Sequence, residues 1–312
     1  MDLSELRIFC RVAELGSFTR AADQLGMAKG RVSTVVQALE NNVGGRLLQR
    51  TTRSVRLTPE GELFLVRCKE LLTDAEQLQG MFQLAGGEVR GRVRIDMPNL
   101  FAQEMVMPHL PALLAAHPQL DLGISTNDRR VDMVREGFDA LIRLGPLPDS
   151  DLVARPLGSL AMGNLASPAY LAAYGTPHTL ADLASHRLVY YANNLRNEEA
   201  ALHCMVDGVP QAVPMRSALA VNNSAFMQAA CLHGLGIMQG ALPTNRRLIA
   251  SGQLVEVLPA LRLPPVPVTL LLPQRRYLAP RVEMVLNWIA RVIRPSLQAL
   301  PATPIMPAEG RS

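Results

Sequence analysis

Along the first sixty positions, apolar residues recur at helical spacing. Leu3, Leu6, Phe9 with Cys10, and Ala13 predict a helix over 3–14. Gly16 stops it. Ser17 stands where a second helix, over 18–25, needs its cap, and that helix buries Phe18, Ala21, Ala22 and Leu25. The small pair Ala21 and Ala22 lets another helix cross closely. Gly26 breaks the second helix, and Met27 packs inward. A third helix follows over about 29–41, with Val32, Val35 or Val36, and Leu39 as its buried set. Helix, short glycine-containing turn and helix form the helix-turn-helix pattern. Beyond Gly44 and Gly45, the pattern predicts a short β-hairpin. Leu47, Leu48, Val55 and Leu57 face its core, while Arg50, Arg53 and Arg56 project outward with Thr51 and Thr52.

Thr58, Pro59 and Glu60 then open a long helix: a capping hydroxyl, a proline in the first turn and an acid at the positive helix end. It can run to about residue 85, before Gly86 and Gly87. Phe64, Leu71, Leu78 and Ala85 form one heptad row, and Cys68, Ala75 and Phe82 form the other. This predicts a dimer seam. The alternative is an amphipathic helix packed on its own domain.

From Gly91 onward the period changes. Strands are expected over 92–97, 120–126, 139–144, 162–167, 188–191, 236–239 and 266–272. Helices are expected over 100–116, 130–136, 225–233 and 281–293. This alternation predicts an α/β domain with mainly parallel strands.

The 312 residues suit two or three domains, and 48% hydrophobic against 19% charged residues allows a sizeable core. The N-terminus lacks the basic start and apolar run of a signal peptide, and no apolar stretch is long enough to span a membrane. A cytoplasmic protein with no membrane partner is expected. Charge alters the picture more. Residues 1–57 hold nine basic side chains (Arg7, Arg11, Arg20, Lys29, Arg31, Arg46, Arg50, Arg53 and Arg56) against five acidic ones. That excess equals the net charge of +4 of the whole chain, so the remainder is balanced. Positive charge gathered on a helix-turn-helix suits double-stranded DNA, whose phosphates it neutralises. The third helix would enter the major groove, with Lys29, Gly30, Arg31, Ser33, Thr34 and Gln37 meeting bases and phosphates. The hairpin becomes a wing whose Arg50, Thr51, Thr52, Arg53 and Arg56 hold phosphates or reach the minor groove.

The residues Phe9 to Leu25, Val32 and Ser33, Ala38 to Glu40, Gly45 to Leu48, Arg50 to Arg53 and Leu57 to Gly61 resemble LysR-type transcriptional regulators in order and spacing. The resemblance continues through Gly137 to Gly145, Ala166 to Leu171, Gly234 to Ile237 and Ser251 to Val255. It implies an overall α/β protein in three parts: a winged helix-turn-helix over 1–58, a linker and dimerisation helix over 59–87, and a two-lobed effector-binding domain over 88–300. Lobe one would be 91–161 with 267–300, lobe two 162–266, and 301–312 a loose tail. The resemblance also implies a homodimer through the linker helix, a homotetramer, and contact with RNA polymerase. The family often has Ser where Ala28 stands here.

A small-molecule effector should sit where strands end and helices begin, because backbone N–H groups there favour polar and anionic ligands. The candidates are Asn99, Leu100 and Phe101 after the first strand, Thr126 and Asn127 after the second, Gly145, and Asn222, Asn223 and Ser224 before a helix. Asn193 and Asn194 are weaker ones. Caps and turns explain any one of these residues equally well.

Other classes fit less well. Lys29 and Lys69 are the only lysines, so the C-terminal part has no Schiff-base or Walker A lysine. It has no His-x-x-x-His pair and no Gly-x-Ser-x-Gly elbow, so no enzyme, cofactor or metal site is expected. Gly234 and Gly236 follow a helix and precede a strand, the reverse of a nucleotide-binding loop. The cysteines, Cys10, Cys68, Cys204 and Cys231, match no zinc spacing. A thiol-based redox sensor using Cys204 and Cys231 is the alternative reading, and an architectural DNA binder that senses nothing is a third.

Overall fold

The computed structural model describes residues 1–50, 55–80, 89–129, 131–147, 149–192, 200–274 and 278–299. They divide into two compact units, Met1–Glu88 with Asp132–Gly137 and Leu278–Pro280, and the remainder.

The first unit opens with α1 (Leu3–Leu15), α2 (Phe18–Leu25) and α3 (Lys29–Val43). Asp2 starts α1 with a reciprocal capping box to Glu5, and Ser17 caps α2 through the Arg20 N–H. Gly26 ends α2 in the left-handed region (φ 61°), a conformation that glycine adopts without steric cost. Val32, Val36 and Leu39 are the fully buried residues of α3, and Val35 is half-buried. The hairpin pairs β1 (Leu48–Arg50) with β2 (Val55–Leu57), Leu48 opposite Leu57 and Gln49 opposite Arg56. Then comes α4 (Pro59–Gly80). The Thr58 hydroxyl donates to the Arg46 carbonyl and accepts from the Gly61 N–H, so one side chain caps α4 and ties it to the hairpin. Gly61 allows this close approach, because a Cβ would overlap the Leu47 carbonyl.

The predicted heptad rows divide in the structure. Leu65 and Cys68 are buried with α1 to α3 and the hairpin in one core, against which Phe64 also packs, and the Phe64 ring meets Phe9 edge-on at 5.4 Å. The first part of both rows therefore belongs to the unit's own core. Leu63, Leu71 and Leu78 stay 73%, 46% and 67% exposed. Ala85 and Phe82 lie outside the described residues.

The second unit contains two lobes. The chain order is β3 (Gly91–Met97), α5 (Asn99–Phe101), α6 (Leu110–Ala116), β4 (Leu120–Thr126), α7 (Met133–Glu136, which groups with the first unit), β5 (Ala140–Leu144) and β6 (Val153–Leu160). Lobe two follows as β7 (Met162–Ala166), α8 (Pro168–Tyr174), β8 (Arg187–Tyr191), β9 (Ala201–Val206), β10 (Val209–Pro214), β11 (Arg216–Val221), α9 (Ser224–Leu232), β12 (Met238–Ala241), α10 (Leu242–Ala250) and β13 (Val255–Val257). β14 (Val266–Leu272) and α11 (Pro280–Ile293) return to lobe one. The expected helix over 100–116 is broken. A π turn (Ala102–Val106) and a 3-10 turn (Met107–His109) separate α5 from α6, where Pro108 and Pro111 lack N–H donors.

Lobe one is a sheet of order β4-β3-β5-β14-β6. The expected parallel sense holds for β4, β3, β5 and β6 and fails at β14, so the sheet is mixed. β3 pairs in parallel with β4 and β5, but the returning β14 runs antiparallel to both β5 and β6. In lobe two, β12-β7-β13 is antiparallel and β8 with β11 is parallel, with the Leu188–Ile237 bridge joining the two groups. In lobe one, the strand that runs against the others is β14, which enters after the chain has built lobe two. The β9–β10 hairpin adds to the expected elements. Its turn, Asp207 and Gly208, has φ of 50° and 78°, the two positive values a tight primed turn needs.

Candidate DNA interface and effector cleft

In the first unit, the face of α3 opposite its buried valines carries Lys29, Gly30, Arg31, Thr34 and Gln37, all exposed, with Ser33 half-buried. Ala28 at the start of α3 supplies no side-chain cap. The Thr34 hydroxyl donates to the Gly30 carbonyl at 3.0 Å, so toward a ligand it is left as an acceptor. At the other end of α3, the Glu40 carboxylate accepts the N–H groups of Leu47 (2.9 Å) and Leu48 (3.0 Å). This locks the hairpin to the helix. Arg56 is exposed on the hairpin. Thr51, Thr52, Arg53 and the Arg50 side chain lie outside the described residues.

In the second unit, the ends of β3, β4 and β8 and the start of α9 converge on one residue, Asp128. Its Oδ1 accepts the Asn99 N–H at 3.2 Å. Its Oδ2 accepts both the N–H (2.6 Å) and the hydroxyl (2.8 Å) of Ser224. Its carbonyl accepts the Tyr191 hydroxyl at 3.0 Å. Asn99 belongs to lobe one, Ser224 and Tyr191 to lobe two. The predicted residues Asn99 and Ser224 are thus brought together through an acid that is absent from the predicted set. The position of Asp128, beside Asn127 and just past a strand's carboxyl end, is the sequence signal that points to it.

The other candidates serve more local ends. Asn223 caps α9 through the Phe226 N–H. The Asn127 amide donates to Ser125 (2.7 Å) and Asp96 (3.3 Å). Asp96, fully buried, also pairs with Arg143 at 2.7 Å. Leu100 and Phe101 are buried in the fold, and Thr126 and Asn222 are exposed. Gly145 is buried and donates its N–H to the Pro267 carbonyl. Asn193 and Asn194 lie outside the described residues. Gly234 (φ 75°) follows the end of α9, and a Cβ on Gly236 would crowd the Arg187 carbonyl. Gly234 thus serves the helix stop and Gly236 the packing.

Cys204 and Cys231 fall in separate hydrophobic clusters. Burial pushes both thiols up, Cys231 to about 12, and neither is poised as a thiolate. The thiols that meet are those of Cys10 and Cys68, in the core of the first unit. A hydrogen bond between them raises Cys10, with burial adding to it, and lowers Cys68. Among the described residues, no group of three or more His, Cys, Asp and Glu is placed to hold a metal, and no helix is long and apolar enough to cross a membrane.

A winged helix-turn-helix carrying a basic exposed helix, followed by a two-lobed α/β domain with a polar junction, defines a DNA-binding transcription regulator. Comparison with known proteins gives the family. The LysR substrate binding domain matches residues 86–294, and the bacterial regulatory helix-turn-helix protein, lysR family, matches residues 3–62. YhjC of Escherichia coli, an uncharacterised HTH-type transcriptional regulator, is 42% identical over 290 residues, 93% of this chain and 97% of that protein. Among solved structures, CrgA, a LysR-type transcriptional regulator from Neisseria meningitidis, aligns with a TM-score of 0.59 at 26% identity. AphB, the Vibrio cholerae virulence activator, aligns at 0.56 and 27%. Each alignment covers 93% of this chain and 98% of the other. The chain belongs to the LysR family: it is a DNA-binding transcription regulator with an effector-binding domain, and not an enzyme.

Proposed function

We propose that this regulator reads DNA with Lys29, Gly30, Arg31, Ser33, Thr34 and Gln37 on α3 and holds phosphates with a wing of Arg50, Thr51, Thr52, Arg53 and Arg56. The observation that carries this reading is the basic, exposed face of α3 set against a fully buried valine–leucine face. The uncapped start of α3 supports it too, since backbone N–H groups there suit a phosphate. The working divisions are 1–58, 59–87 and 88–300. The regulator acts in the cytoplasm as a homodimer through α4, where Leu63, Leu71 and Leu78 offer exposed apolar surface. Paired heads about one DNA turn apart match an interrupted inverted repeat. Pairs of dimers assemble into tetramers that bend DNA and present the regulator to RNA polymerase.

The effector is a small polar molecule held between the lobes by the segments at 99–101, 126–127, 145 and 222–224. It must prefer one arrangement of the lobes to shift the balance between states. Selection of bound fragments from a random DNA pool should return an inverted repeat. A thermal-shift screen of the full chain against metabolites should return a stabilising ligand. That ligand should change the footprint on the selected DNA. A footprint that no stabilising ligand alters would leave an architectural binder in place of a sensor.

A further inference from the structure

The contacts at Asp128 do more than decorate a loop. The residue lies just beyond β4, in lobe one, yet it accepts three hydrogen bonds from lobe two: the Ser224 N–H, the Ser224 hydroxyl and the Tyr191 hydroxyl. Another, from the Asn99 N–H, fixes the carboxylate to its own lobe. Both carboxylate oxygens are thereby used, one for each lobe. Hydrogen bonds to an ionised acceptor are the strong ones, and those from Ser224 are also short. Ser224 opens α9, whose first-turn cap is already supplied by Asn223. Asp128 satisfies a different first-turn donor of that helix, the Ser224 N–H, and does so from the other lobe.

We propose that Asp128 is a built-in latch between the lobes. Its carboxylate takes the donors of Ser224 and Asn99 and holds the lobes in the arrangement seen here. Effector binding changes the lobe arrangement by replacing or breaking this contact. The proposal rests on the reading of this loop cluster as the effector cleft, but it concerns the ligand-free protein and is testable without any effector. An empty metabolite screen would count against the cleft and not against the latch.

The test uses the full chain with spin labels on Gln103→Cys in lobe one and Asp207→Cys in lobe two. Both positions are exposed, and the four native cysteines are buried. The distance distribution between the labels is compared for otherwise wild-type protein, Asp128→Ala and the near-isosteric Asp128→Asn. Amide exchange at Ser224 and Asn99 is followed in parallel. The latch predicts a longer or broader distribution in both variants, and exchange faster by about tenfold or more at Ser224 in Asp128→Ala. Acetate added to Asp128→Ala should draw the distribution back, whereas chloride at matched ionic strength should not. An unchanged distribution in both variants would overturn the latch. Faster exchange with an unchanged distribution would do so as well, because Asp128 would then serve only its own loop. Asp128→Asn keeps the side-chain shape, so the test survives if the alanine variant fails to fold.

Discussion

The DNA-reading unit and the two-lobed unit are held together in different ways. In the first, one apolar cluster runs without a break from Leu6 on α1 through α3 and the hairpin to Cys68 on α4. Its polar contacts, Glu40 to the hairpin and Thr58 to α4, fasten neighbouring elements onto that core. In the second, lobe two carries two hydrophobic clusters of its own, and its contact with lobe one at Asp128 is wholly polar. A single core makes a rigid reading head. Polar contacts of this kind can be exchanged without exposing apolar surface, which a sensor that shifts its lobes needs.

The contrast breaks most visibly if core damage in one unit spreads to the other. Phe9 is fully buried and packs on Phe64, so Phe9→Ala should cost about 3–5 kcal/mol. Calorimetry of the full chain should show one transition move to lower temperature while the second stays in place. A common shift of both would mean that the units unfold as one. A comparable loss, confined to the second transition, is expected for Arg143→Met. It strands the fully buried Asp96 without its cation, at a cost of about 3–5 kcal/mol. Adding Asp96→Leu should recover much of that loss, since no uncompensated charge remains.

Gly61→Ala should be milder, about 1–3 kcal/mol, because α4 must shift away from the Leu47 carbonyl. DNA affinity should fall along with stability, as the hairpin loses its register on α4. If affinity were unchanged, the tie between wing and linker helix would not matter for reading.

The smallest effect concerns pH. The Arg187 N–H donates to the Tyr170 hydroxyl, which leaves the Tyr170 proton for His186 Nδ1 at 3.1 Å. Burial lowers the His186 pKa below its ordinary 6.5, against a raising effect of Asp182. The unfolded chain thus takes up this proton first. The stability due to neutral His186 is complete above 6.5 and is lost as pH falls through the lower folded value, with a slope of at most about 1.4 kcal/mol per pH unit. His186→Gln should flatten the pH dependence of the second transition. The first transition should not respond.

The same contrast explains what the sequence could tell. The reading head is built from local signals. Ser17 and Gly26 mark the ends of α2, the spacing of Val32, Val36 and Leu39 marks the inner face of α3, and Thr58 with Pro59 opens α4. What the heptad pattern could not reveal is that Phe64 and Cys68 turn inward, because an apolar row does not state which partner covers it. In the two-lobed unit the decisive features are non-local. β14 returns antiparallel to β6 only after the chain has built the whole of lobe two between Leu160 and Val266. Asp128 meets Ser224 across 96 positions. The Asp207–Gly208 turn is a local signal, yet the hairpin it joins is not among the expected strands. Asn99 and Ser224 are legible as ends of elements, and Asp128 as a residue past a strand's end, but that Asp128 joins them is not, since that role exists only once both lobes are folded.

The measurement that bears most directly on the account is the salt dependence of binding to a selected DNA site, for wild type, Lys29→Ala and Arg31→Ala. If α3 lies on the DNA as described, each variant should weaken binding, and the slope of log affinity against log salt should become shallower by about one for each phosphate no longer neutralised. Unchanged affinity and an unchanged slope in both variants would contradict the assignment of α3 as the reading helix.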